Sequence, residues 1–145
     1  MKRLSLFVFG IMMAAGIAVA HTNVQNAAVK ARMAAMSGMG EELKTLGLMI
    51  KGTTRFDMDA ARTAANAIAG HAAATPGLFE AEETDPKSEA KASIWTNFDD
   101  FTNKALELKT VALGLGNSIH SAEDLVPAMS SLWATCKSCH AAYRQ

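Results

Sequence analysis

The chain is poor in the residues that build sheets, cross-links and highly charged surfaces. Aromatic residues make up 6% of its 145 positions, and there are only three prolines and two cysteines. Charged residues make up 19%, with 14 Lys and Arg against 14 Asp and Glu and no long run of either sign. That balance argues against the basic footprint of a nucleic-acid binder and against an acidic disordered tail. β-Branched residues are sparse while Ala, Leu, Met and Lys are plentiful, which favours helices because these side chains lose little rotamer freedom there. The length suits one domain, and the composition predicts an all-α one.

Before any fold reasoning, residues 1–20 are set aside. Lys2-Arg3 precede an apolar stretch from Leu4 to Ile17, and Ala18-Val19-Ala20 then offers small residues at −3 and −1 relative to His21. This pattern reads as a secretory signal peptide cleaved before His21, the apolar run being short for a membrane span. Its removal leaves residues 21–145, with 12 cations against 14 anions, and no later segment apolar enough to cross a bilayer. An exported chain invites a disulfide, but Cys136 and Cys139 are three residues apart, and such a small loop constrains almost nothing in the unfolded state.

Four amphipathic segments follow. Val29, Met36, Leu43 and Ile50 recur every seven residues, with Met33, Met39 and Leu46 beside them, which predicts a first helix ending near Lys51-Gly52. Gly38, Gly40 and Gly47 weaken it unless something approaches its backbone closely. Asp57 is placed to cap a second helix with a small-residue face (Ala60, Ala61, Ala64, Ala65, Ile68, Ala72), ending at Thr75-Pro76-Gly77. That face suits either close packing in a bundle or a second copy of the chain. An acidic loop then runs to Ser88, with Phe79 pinning it to the core. A third helix is predicted from Ser88 to Leu113 on the stripe Ile94, Phe98, Phe101, Ala105, Leu108 and Ala112, closed by Gly114 and Gly116. Ser121 and Asp124 resemble a capping arrangement for a fourth, carrying Leu125, Met129, Leu132, Cys136 and Tyr143. Trp95 and Trp133 read as packing, and His71 and His120 as surface residues near helix ends. Short links between helices make an antiparallel four-helix bundle the economical fold.

The chemistry sits in Cys136-Lys137-Ser138-Cys139-His140, which matches C-x-x-C-H, the attachment sequence of c-type haem. Thiols at i and i+3 share a helical face, so each reaches one vinyl group of the macrocycle, while the adjacent imidazole is presented to the iron. Two other readings use the same residues. Zinc asks for four ligands, and His21, His71 and His120 are isolated. A thiol–disulfide centre normally opens a helix after a strand, whereas this pair sits near the end of the last helix of an all-α chain.

Through nearly all of residues 21–145 the sequence resembles the cytochrome c prime family. The likeness is carried by the C-x-x-C-H run followed by Tyr143-Arg144, by Arg32 with Met36 one turn later, by Lys51-Gly52 before Phe56-Asp57, by Phe79, and by Ala92-x-Ile94-Trp95 with Phe98 and Phe101. The resemblance implies a four-helix bundle with one covalent haem c bound through Cys136 and Cys139. It implies His140 as proximal iron ligand, Arg144 near the proximal face, Arg32 near the haem edge and Met36 above the iron. Arg32 and Lys30 also fit a plain solvated helix face. The resemblance further implies a homodimer through the first two helices, while the cleaved leader places the protein in the periplasm and an apolar distal side without an acid–base pair makes it no enzyme. Its expected partners are the gases nitric oxide and carbon monoxide, taken up at a five-coordinate iron beneath Val29, Met33 and Met36. Low-spin relatives in that family offer the alternative, an electron carrier in which the Met36 thioether is the second axial ligand.

Overall fold

The computed structural model describes residues 24–145, so the leader read in residues 1–20 and the cleavage point before His21 lie outside the described residues. Five helices carry the chain: α1 (Ala27–Ile50), α2 (Met58–Leu78), the single turn α3 (Ser93–Thr96), α4 (Phe98–Ser118) and α5 (Leu125–Tyr143). The four long helices form the bundle, in which α1 packs on α2, α2 on α4, α4 on α5 and α5 on α1, the last contact being the lightest. Neighbours run antiparallel. Arg62 near the start of α2 donates to the Ile119 carbonyl just past α4, whereas Phe79 just past α2 stacks on Phe101 near the start of α4. Among the described residues, no helix is long and apolar enough to cross a membrane.

Helix α1 begins at Asn26, whose side chain accepts from the Val29 N–H at 3.0 Å, a cap of a favoured residue type. It ends where Gly52 adopts φ 68°, a left-handed conformation in which glycine escapes the Cβ penalty. The heptad row does not stay in the core: Val29 is buried, Met36 and Leu43 are half-buried, and Ile50 is exposed. An α-helix of 3.6 residues per turn rotates by roughly 20° per heptad away from a strict seven-residue repeat. The fully buried row is instead Val29, Arg32, Ala35, Met39, Leu46 and Met49.

Asp57 caps α2 through the Ala60 N–H at 2.9 Å. The helix does not stop at Thr75-Pro76-Gly77 but continues to Leu78. Proline removes one backbone donor, and the last turn is recovered by the Phe79 N–H bonding to the Pro76 carbonyl at 2.9 Å while the Phe79 ring is buried. The small residues Ala61, Ala64, Ala65, Ala69 and Ala72 are all buried in the core shared with α1 and α4. Two glycines have identifiable reasons. A Cβ on Gly38 would lie 2.5 Å from His71 Nε2, and one on Gly116 would collide with the Asn66 side chain. His71 is therefore a half-buried residue within α2, packed over α1, and not a surface residue at a helix end.

The third predicted helix is broken and shifted. Residues 89–91 lie extended beside the C-terminus, α3 makes one turn, and Asn97 (φ −133°, ψ 44°) separates it from α4. Asn97 Nδ2 binds the Ser93 carbonyl at 3.2 Å while its own carbonyl accepts the Phe101 N–H, so one residue ends α3 and starts α4. Helix α4 then runs through Gly114 and Gly116 to Ser118, because tertiary packing overrides a weak local stop signal. Asp124 does cap the final helical segment, its carboxylate accepting the N–H groups of His120 and Ser121 at 2.9 Å each.

Candidate functional site

The core has two parts. A large aliphatic cluster fills the bundle between α1, α2, α4 and α5, and a smaller one of Phe79, Ile94, Phe101 and Tyr143 closes the end where α4 begins and α5 finishes. Helix α5 presents Cys136 to the first and Cys139 to the second, and Met36 of α1 packs against both. Neither cysteine is in a disulfide.

The height of Met36 follows from register. Helices α1 and α5 are antiparallel, and the Met129 methyl lies 3.9 Å from where a Gly47 Cβ would stand. Eleven residues along each helix from that contact, about 16 Å of rise, come Met36 and His140. By this register Met36 and His140 stand at similar height on α1 and α5, the neighbouring long helices with the lightest contact.

Burial pushes both thiols above their ordinary pKa, with Lys104 opposing it at Cys139. The pair also lies in the C-terminal half of its helix, where the dipole disfavours a thiolate. This is the reverse of the environment that activates a redox dithiol. Nor do three His, Cys, Asp or Glu side chains converge on a metal-sized position among the described residues. The His140 pKa is lowered by burial first and by the Arg144 charge second, with Glu89 opposing, which favours the neutral imidazole, the form whose lone pair can bind a metal. Two half-buried thiols one turn apart, a neutral imidazole and partly buried apolar neighbours (Met36, Leu43, Trp95, Phe98) fit a flat apolar macrocycle held by thioethers and one nitrogen ligand.

Arg32 is not on a solvated face. It is 3% exposed, and its guanidinium donates to three backbone carbonyls: Nε to Leu78 (2.9 Å), Nη1 to Glu83 (2.6 Å) and Nη2 to Ala81 (2.6 Å). The cation also lies 4.6 Å from the Phe79 ring centroid and 5.4 Å from that of Trp95. Arg32 thus ties the acidic loop to α1, and Trp95 joins the same knot by donating Nε1 to the Phe79 carbonyl at 2.8 Å. Arg144, just beyond α5, pairs at 2.6 Å with Glu89 on an exposed surface. Met33 is half-buried and Val29 buried on the Met36 side of α1. Trp133 is no packing residue, being 59% exposed. His120 is exposed, with its Nδ1 2.7 Å from Arg62 Nη2.

Sequence reasoning passed over Asp100 and Glu89, which meet Tyr143 and Arg144 across long sequence separations. The two acids at the start of α4, Asp99 and Asp100, were a visible helix-start signal, but nothing local indicated that one of them receives the tyrosine.

Comparison with known proteins agrees with this geometry. The family model described as Cytochrome C' matches residues 27–144. A cytochrome c-556 of Agrobacterium tumefaciens is 36% identical over 117 residues, covering 80% of this chain and 95% of the relative. A cytochrome c' of Rhodopseudomonas palustris is 31% identical over 138 residues, covering 92% and 90%. The solved structure of cytochrome c' from Rhodopseudomonas palustris superimposes with a TM-score of 0.76 at 28% identity, covering 83% of this chain and 98% of that one. The chain belongs to the cytochrome c' family, and its cofactor is haem c.

Proposed function

We propose that Cys136 and Cys139 hold the haem by thioether bonds, that His140 ligates the iron from one side, and that the other side admits nitric oxide or carbon monoxide at a five-coordinate iron. Haem iron supplies either reversible gas binding or exchange of one electron. The observation that carries the gas-binding reading is the engagement of Arg32. The guanidinium stands one turn from Met36, yet its three nitrogens donate to the carbonyls of Leu78, Ala81 and Glu83, so Arg32 is not free to offer a donor beside Val29, Met33 and Met36. Bound dioxygen carries partial negative charge and needs a distal donor, whereas carbon monoxide and nitric oxide bind under an apolar ceiling. The same ceiling lacks the acid–base pair that peroxide cleavage requires, so no enzymatic turnover is assigned.

The electron-carrier reading is supported by the similar height of Met36 and His140 on their helices, which is compatible with a thioether ligand. Met is also a flexible core filler that packs near a metal without bonding to it. The test is the optical spectrum of the ferric and ferrous holoprotein with and without carbon monoxide. Five-coordination predicts a high-spin ferric spectrum, fast carbon monoxide binding by the ferrous form, and faster binding still in Met36→Ala. A methionine–iron charge-transfer band that disappears in Met36→Ala would replace this reading with the electron carrier.

Export to the periplasm through cleavage before His21 belongs to the same proposal, and the intact mass of the mature protein tests it. Self-association is proposed as a symmetric dimer on family likeness alone, since the small-residue face of α2 is taken up inside the bundle. Sedimentation at micromolar concentration that shows only monomer mass refutes it.

A further inference from the structure

Helix α5 ends one turn after His140, and its last turn is held from outside. The final four carbonyls of an α-helix have no partner within it. Here all four are taken: His140 by the Arg144 N–H (2.9 Å), Ala141 by Lys91 Nζ (3.3 Å), Ala142 by Ser93 Oγ (3.4 Å) and Tyr143 by the Lys91 N–H (2.9 Å). These bonds fix how far the helix runs. They act on main-chain atoms at its tip.

Among the side chains of this last turn, Tyr143 is the one that reaches a neighbouring helix through a hydrogen bond. It is 6% exposed, meets the Phe101 ring edge-on at 5.4 Å, and reaches across to α4, where its hydroxyl donates to Asp100 Oδ2 at 2.6 Å. Asp100 is itself held, with Lys104 Nζ 3.7 Å from its other oxygen. Because Tyr143 and His140 are three residues apart, they project from neighbouring positions on one face. Any roll of the last turn that displaces the phenol from Asp100 also turns the imidazole. The Asp100 hydrogen bond and burial together push the phenol up to about 12, so the donor proton is retained across physiological pH.

We propose that Tyr143 is a positioning residue for His140: its hydrogen bond to Asp100 fixes the rotation of the last turn of α5 and thereby the plane of the imidazole over the haem. The proposal rests on the reading of His140 as iron ligand. It assigns Tyr143 a role that a phenylalanine, equally able to fill the aromatic cluster, does not perform.

The hyperfine-shifted proton NMR spectrum of the ferric holoprotein tests this, because the spread of the haem methyl resonances depends on the orientation of the axial imidazole plane. Tyr143→Phe and Asp100→Leu are each expected to change that spread in the same direction, and the double variant to change it no further. Asp100→Asn, which keeps an accepting oxygen, should restore most of the wild-type pattern. Ile94→Val loosens the same cluster without touching the hydrogen bond and should lower the melting temperature while leaving the pattern in place. A wild-type pattern in Tyr143→Phe, or an equal change in Ile94→Val, overturns the proposal while His140 stands as ligand. If wild-type protein gives no hyperfine-shifted imidazole signals from His140, the ligand assignment fails first and the proposal with it.

Discussion

Replacing Arg32 with methionine tests the account of the loop knot most directly. The change keeps an unbranched side chain against Phe79 and Trp95 and removes only the charged fork. Each hydrogen bond to a charged group is worth about 1.5–3 kcal/mol, so three taken at face value reach roughly 4.5–9 kcal/mol. The full sum does not apply. Ala81 and Glu83 are exposed, and water replaces the arginine at their carbonyls, whereas the half-buried Leu78 carbonyl is less readily rehydrated. Losing the cation over two rings adds about 0.5–2 kcal/mol, and the net expectation is about 2–4 kcal/mol. For a domain of this size that lowers the melting temperature by roughly 8–16 °C. Arg32→Lys should recover only a minor part, because an ammonium is a point donor and cannot span carbonyls on residues 78, 81 and 83. Thermal unfolding of the holoprotein followed by circular dichroism reads both. A loss under about 1 kcal/mol in Arg32→Met, or full recovery in Arg32→Lys, refutes the knot as a determinant of stability.

Two glycines of α1 should behave in opposite ways. Gly40→Ala meets nothing within 4 Å and should stabilise by up to about 1 kcal/mol, whereas Gly38→Ala must displace the His71 ring and should destabilise, with His71→Ala relieving the effect; urea unfolding of the four proteins decides. The Asp85 carboxyl is held below its ordinary range by the N–H groups of Lys87, Asn26 and Gln25. A depressed carboxyl contributes stability that is present above about pH 4 and is lost as pH falls through its lowered value, so Asp85→Asn should flatten the acid limb of the stability profile, and an unchanged limb counts against the cap. A chain with Ser at both 136 and 139 should retain no haem after denaturation and should melt lower than the holoprotein, because a bound group that favours the folded state is lost; retention of haem by that variant removes the thioether assignment.

What the sequence made legible was what depends on local pattern. The caps at Asp57 and Asp124, the stop at Gly52 and the C-x-x-C-H run each involve residues within a few positions of one another, and all were readable. The helices that went wrong were decided from a distance. Pro76 and Gly116 look like terminators, but α2 runs on to a buried Phe79, and Gly116 lies in α4 where the Asn66 side chain leaves no room for a Cβ. Ser88 looked like a helix start until Lys91 and Glu89 proved to bond the far end of the chain. The same limit explains Arg32: its spacing is equally good for a solvated face, and only the fold of the acidic loop brings three carbonyls to it. Val29, Arg32 and Met36 could be placed on one side of a helix, but the level of Met36 against His140 required the Gly47–Met129 contact.

One segment explains how the site stays open and fixed at once. Helices α1 and α5 flank the position assigned to the haem, and of the four contacts between neighbouring long helices theirs is the lightest. The chain between α2 and α4 reaches both. Its first part binds α1, through Arg32 on the carbonyls of residues 78, 81 and 83, Asn26 Nδ2 on Glu83 at 2.7 Å, and Asp85 on the N–H groups of Gln25 (2.8 Å) and Asn26 (3.1 Å). Its last part binds α5, through Glu89 on Arg144 and the Gln145 N–H, and Lys91 on Tyr143. A continuous strap therefore joins the two helices, and each of its attachments combines hydrogen bonds with apolar contacts of Phe79, Ile94 and Tyr143. The hydrogen bonds to backbone carbonyls and N–H groups add directional constraints on register to that packing. The same segment thus ties the helix that carries Met36 to the end of the helix that carries His140.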